Sequence, residues 1–185
     1  MLSRYKYDLI HIGITLVIFF TAFFIKLDNL KAPLVRHQEW ISAHTLITAE
    51  IWDQNNGPSY SGFSPVYTYP NKSNFGRKML GGVTNSKGHH YVSYPPFSFI
   101  FGYYGMQIFG GVNPYNLRAI SLTVGLLSAL LLMFIIRNFH NEKRIISVPA
   151  IIGVGFYVFS TGNMLYFGHL YFADVLIVLF TLLLF

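Results

Sequence analysis

The sequence predicts an all-α, multi-pass membrane protein, and three observations predict it. Of the 185 residues, 53% are hydrophobic, 18% aromatic and only 11% charged, where soluble domains carry about 25% charged residues; the mean hydropathy is +0.46. Uncharged runs recur at the length a helix needs to cross a bilayer, about 17 to 25 residues. Basic residues flank these runs, where short Lys- and Arg-rich connections set orientation. The whole of 1–185 reads as a single membrane module.

Taken in order, the first span is expected over about 9–26, preceded by Arg4 and Lys6. The run is longer than a usual signal-peptide core and no small-x-small cleavage site precedes Lys26, so it reads as a retained signal-anchor helix. A long loop follows over about 28–117, with two helices expected to lie along the membrane rather than cross it. The first, about 38–55, has Trp40, Ile47 and Ile51 as its apolar face. Glu39, Glu50 and Asp53 fall within about 60° of each other on a neighbouring face. Glu39 sits in the N-terminal turn, where the helix dipole stabilises a carboxylate.

From Asn55 to Tyr94 the composition shifts to Gly, Pro, Ser, Asn and Tyr, and periodicity disappears, which predicts loop. His89-His90 reads as a surface or substrate-contact pair, because the rings of adjacent residues part too far to chelate one ion. The second non-crossing helix, about 96–110, opens with Pro95-Pro96, contains Gly102 and Gly105, and falls just under span length. Arg118 heads the second span, about 119–136. The turn from Arg137 to Arg144 carries Arg137, Lys143 and Arg144. A third span is expected over about 146–166, and a fourth begins at 175. That fourth run is still apolar at Phe185, so the expectation is the N-terminal part of a longer protein. Asp174 stands alone between the last two runs. An acid in or at the edge of a membrane segment costs about 2.5 to 3.5 kcal/mol and usually marks a site.

Orientation follows from the basic residues. Arg4 and Lys6 place the N-terminus inside, and the turn 137–144 belongs inside as well. The loop 28–117 is then external, and long loops translocate largely regardless of their own charge. By the same parity the third span emerges outside, so Glu39, Arg118 and Asp174 are expected to face one compartment. His169 could join the carboxylates there; a polar interface histidine is the alternative.

Other functions are disfavoured. The net charge is +6, but the basic residues are scattered, whereas nucleic-acid binding needs a patch or stripe. The lack of cysteine removes disulfides, zinc–thiolate sites and thiol nucleophiles. Gly81-Gly82 and Gly110-Gly111 do not match a P-loop or dinucleotide fingerprint. A transporter or a non-catalytic assembly subunit is the rival class, with His11, Gly153 and Gly155 as its intramembrane hints; small residues there more often serve helix packing.

Several short elements occur in a characteristic order: Gln38-Glu39 on the early amphipathic helix, Tyr94-Pro95-Pro96-Phe97 opening the second, Phe109-Gly110 closing it, Arg118 at the head of a span, and Asp174 after the third span. This order resembles the GT-C membrane glycosyltransferases, especially the protein O-mannosyltransferase and lipid A aminoarabinose transferase branch, and the likeness covers nearly the whole chain. Where that family shows Asp-Glu, this chain has Gln38-Glu39. Either Glu39 has taken over the role of the missing Asp, or the base lies elsewhere, or the chain is inactive.

The resemblance implies an inverting glycosyltransferase at the external face of a membrane, with a polyprenyl-phosphate sugar as donor and a glycan, lipid or protein as acceptor. Glu39 would remove the acceptor's hydroxyl proton. Arg118 would stabilise charge developing on the leaving lipid phosphate; the alternative is an arginine snorkelling from a helix end. Asp174 would orient the acceptor, assist the base or hold a divalent metal; a helix N-cap is its alternative. Tyr94, His89, His90 and His169 complete the expected substrate contacts. No metal ligands are assigned, and a metal requirement stays open. The expected location is a bacterial inner membrane.

Overall fold

The computed structural model describes residues 2–28, 40–54, 57–58, 60–61, 64–68, 83–85, 88–90, 96–139, 146–166 and 173–185. The chain divides into two compact units, 1–32 with 121–185 and 33–120.

The first unit is helical among its described residues. It contains α1 (Leu2–Ile25), the greater part of α4 (Pro114–Phe139), α5 (Val148–Phe159), α6 (Thr161–Tyr166) and α7 (Ala173–Leu183). α1 and α4 are long and apolar enough to cross a membrane. They run antiparallel. Asp8 near the start of α1 forms an ion pair with Arg137 near the end of α4. Eleven residues further along α1, Phe19 lies against Gly125, twelve residues back along α4. Helices rising 1.5 Å per residue stay in register over such matched intervals only when they point in opposite directions. The start of α5 is tied to the same end, because the backbone N–H of Ser147 donates to His11 Nε2 at 2.8 Å.

The core of this unit is made of Phe19 and Ala22 from α1, Ala129 and Met133 from α4, and Ala150, Val154 and Val158 from α5. Mostly small side chains let the helix backbones approach closely. At Gly153 an added side-chain carbon would run into Ile136 of α4. Unlike a water-soluble bundle, this unit is apolar on its outward faces as well as in its core. On α1 the exposed face is Leu9, Val17, Phe20 and Phe24, while the buried face includes His11 and Thr15. On α5 the outward residues are Ile152, Phe156 and Phe159.

The third expected span is not one helix. α5 ends after 12 residues, about 18 Å at 1.5 Å per residue, and Ser160 takes an extended conformation with ψ 147°. The Ser160 hydroxyl donates to Tyr157 O at 3.1 Å and accepts from the Asn163 N–H at 3.3 Å. The Asn163 side-chain amide donates to the same Tyr157 carbonyl. One serine therefore closes α5 and caps α6, a competition with the helix ladder that Ser and Asn side chains are built for.

The second unit departs from the all-α expectation. Among its described residues it holds α2 (Trp40–Gln54), four short strands, α3 (Pro96–Ile108) and the first turns of α4 up to Ile120. The strands β1 (Tyr60–Ser61), β2 (Ser64–Thr68), β3 (Val83–Asn85) and β4 (Gly88–His90) form an antiparallel sheet in the order β1-β2-β4-β3. They occupy the stretch that composition predicts as loop. Strands of two to five residues are too short to display an alternating pattern over the turn-forming residues around them. α2 and α3 lie where the sequence expects helices, each ending one or two residues earlier.

α3 ends on consecutive glycines. Gly110 and Gly111 have φ of +104° and +117°, and their N–H groups return to Gln107 O and Met106 O at 3.2 and 2.9 Å. This pairing of 5→2 and 6→1 bonds needs a left-handed residue, which glycine supplies without Cβ strain. The expected apolar face of α2 is corrected. Ile51 is buried, but Ile47 is exposed alongside Glu50 and Asp53, and the buried side carries Ser42, Thr45, Thr48 and Trp52. Small hydroxyl residues enter the interior cheaply when they bond within their own helix, as Thr45 Oγ1 does to Ile41 O at 3.0 Å. Trp52 meets Tyr103 of α3 edge-to-face with centroids 5.7 Å apart, a favoured aromatic geometry.

Candidate functional site

Arg118 is the predicted site residue whose surroundings are best defined, and local sequence explains how it is held. Asn113 is the N-cap of α4, its Oδ1 accepting from the Asn116 N–H at 2.8 Å. Pro114 takes the first helical position, where a missing N–H costs nothing. The Asn116 side chain also donates to Gly111 O at 2.7 Å, tying the cap to the turn behind it. Arg118 follows one turn into the helix, 2% exposed. A snorkelling arginine keeps its guanidinium in water, so that alternative is corrected. A cation near a helix N-terminus also opposes the dipole, and a buried charge is retained only with compensating partners; Arg118 is indeed engaged. Across from it in the same unit, a Cβ at Gly105 would lie 2.7 Å from Ile120 Cδ1, so α3 and the start of α4 approach closely.

α2 presents its acids outward. Glu50 and Asp53 are exposed, and Asp53 accepts from Gln107 Nε2 of α3 at 2.7 Å. The same helix holds His44, whose imidazole is pushed below the usual histidine range by burial.

The other predicted site residues are placed unevenly. His89 and His90 are consecutive in β4, opposite Thr84 and Val83 of β3. Asp174 is the second residue of α7, in the first unit, while Arg118 belongs to the second. Glu39, Tyr94 and His169 lie outside the described residues. Among the described residues no group of three or more His, Asp and Glu forms that could hold a metal ion.

Sequence reasoning missed two polar contacts in the first unit. Asp8 stands immediately before the first apolar run and Arg137 immediately after the second, and opposite charges at those two edges were the signal for their pair. His11 stood out as the one ionisable residue in the run 9–25, but its partner, a backbone N–H at the start of a later helix, leaves no mark in the sequence. No family model, no curated protein and no solved structure matches the chain.

Proposed function

We propose that this chain is the membrane-embedded module of an inverting glycosyltransferase that moves a sugar from a polyprenyl-phosphate donor to a glycan, lipid or protein acceptor. The reaction takes place at the external face of a multi-pass protein of the bacterial inner membrane. The observation that carries the reading is the buried Arg118 at the start of a helix long enough to span. Such a guanidinium is suited to meet a lipid phosphate where the helix leaves the bilayer.

The surrounding features agree. Phenylalanines and aliphatics on the outward faces, with His11 and Thr15 turned inward, are favourable where the surroundings are hydrocarbon. Antiparallel α1 and α4 are what the parity of the external loop requires. In the proposed step the acceptor oxygen attacks the anomeric carbon from the face opposite the phosphate, as Glu39 takes the hydroxyl proton. The bond from that carbon to the phosphate oxygen breaks, and the lipid phosphate leaves with the electron pair, its charge met by Arg118. Asp174 orients the acceptor.

The test is sugar transfer by the reconstituted full-length protein. Glu39→Gln and Asp174→Asn should abolish transfer and leave membrane insertion intact; full activity in both variants removes the assignment. One observation favours the transporter alternative, the break between α5 and α6 at Ser160, since transporters build their sites at discontinuous helices. That reading predicts solute uptake sensitive to Ser160 and Asn163 and indifferent to Glu39.

A further inference from the structure

α3 is apolar on two opposite faces. Phe99, Tyr103 and Met106 share the side that is buried within the second unit. At about 100° per residue, Phe97, Phe101, Tyr104 and Ile108 fall within about 60° of one another on the other side. Phe97, Tyr104 and Ile108 are each more than half exposed, and the Phe97 ring lies 6.1 Å from that of Phe101. Past the helix end, Phe109 and, in the first turn of α4, Tyr115 are exposed as well. No charged residue occurs from Pro96 to Leu117. A helix that is hydrophobic all round is covered on every side, in a core or by lipid, and an exposed apolar stripe of this kind marks a partner.

We infer that this stripe seats α3 on the surface of a lipid bilayer, while α2 stays out of contact with lipid. Three features favour lipid over a protein partner. The chain passes from the stripe through Gly110-Gly111 directly into α4, which is long and apolar enough to cross a membrane, so α3 is tethered where such a helix enters. α3 itself has 13 residues, about 20 Å of helix against a hydrocarbon core of about 30 Å, so it lies along the membrane. Tyr104 and Tyr115 supply the amphipathic rings that settle at the boundary between water and hydrocarbon. α2 is different. Its outward residues include Glu50 and Asp53 beside Ile47, and Asp53 is tied to Gln107 at the edge of the α3 stripe. Carboxylates belong in water, so exposure separates two helices that sequence alone lays together on the membrane. Sugar transfer plays no part in this seating.

Spin-label accessibility on the full chain in phosphatidylcholine vesicles tests this, with single cysteines placed in a chain that has none. Phe97→Cys, Tyr104→Cys and Ile108→Cys report on the stripe, and Glu50→Cys reports on α2. Labels on the stripe should collide freely with oxygen and rarely with a water-soluble nickel chelate, at one common depth of about 5–10 Å into the headgroup and acyl boundary. The label at position 50 should show the reverse preference. Equal nickel access at the stripe and at position 50 overturns the seating. Poor access to both reagents at the stripe also overturns it, because a protein partner or a second copy then covers the face. So does a depth that grows steadily by about 16 Å between positions 97 and 108, the rise of a crossing helix. The three stripe positions report independently, so a variant that fails to fold leaves the other two to decide.

Discussion

Asp8 and Arg137, 129 positions apart in sequence, form an ion pair between the start of α1 and the end of α4. With the side chains 28% and 10% exposed, the pair lies between a surface bridge, worth little, and a buried one, costly to break. Removing one partner through Asp8→Asn or Arg137→Met should cost about 1–3 kcal/mol in unfolding of the purified protein. The exchanged pair, Asp8→Arg with Arg137→Asp, should recover part of that loss. Single variants as stable as wild type would show that the pair does not hold the helices.

The same pairing bears on topology. α1 and α4 antiparallel return the chain to one end of the first unit. The reading of an external loop therefore predicts that residues 72 and 140 lie on opposite sides of the membrane. The chain has no cysteine, so single Lys72→Cys and His140→Cys variants report unambiguously. An impermeant maleimide should label position 72 in intact cells and position 140 only after permeabilisation. Labelling of 140 from outside would end the reading.

Arg118 is the sharpest test of the proposed chemistry. Arg118→Ala should lower the turnover of the full-length protein on a lipid-linked sugar by about 10² to 10³, the usual loss when a group stabilising developing charge is removed. Arg118→Lys should lie between, because it keeps the charge and loses the planar fork. Turnover within a few-fold of wild type in Arg118→Ala would leave the residue a purely structural role.

His44 sets a pH dependence for the second unit. Burial lowers its affinity for a proton in the folded state, so the unfolded chain binds more protons, and stability falls as pH drops below the ordinary histidine value of about 6.5. Above that value the contribution vanishes. Thermal unfolding should show this decline, and His44→Gln should flatten it. An equal decline in the variant would assign the effect to other groups.

Gly153 and Gly155 look equivalent in sequence and are not equivalent in the fold. A side chain at 153 meets Ile136, while nothing lies within 4 Å of a Cβ at 155. Gly153→Leu should cost about 1–3 kcal/mol through overpacking, and Gly155→Leu should stay within about 0.5 kcal/mol of wild type, as an uncrowded position does. Comparable losses in both would place the tight contact elsewhere.

The long helices follow from local sequence alone, because their signal is local and redundant. Uncharged runs at 9–25 and 119–136 become helices whatever they pack against, and Phe109-Gly110 closes the helix before the second run through its own backbone preference. The helices at 40–54 and 96–108 were legible for the same reason. Tertiary structure decided the rest. Short strands between 60 and 90 exist only by pairing with one another, so composition suggests loop. The exposed Ile47 and the buried Thr48 depend on which neighbour covers each face of α2. The break at Ser160 reflects hydroxyl and amide side chains competing with the backbone inside an otherwise apolar run. Of the predicted site, only the burial of Arg118 was decided by the fold, because a guanidinium at a helix end can turn to water or inward, and only packing chooses.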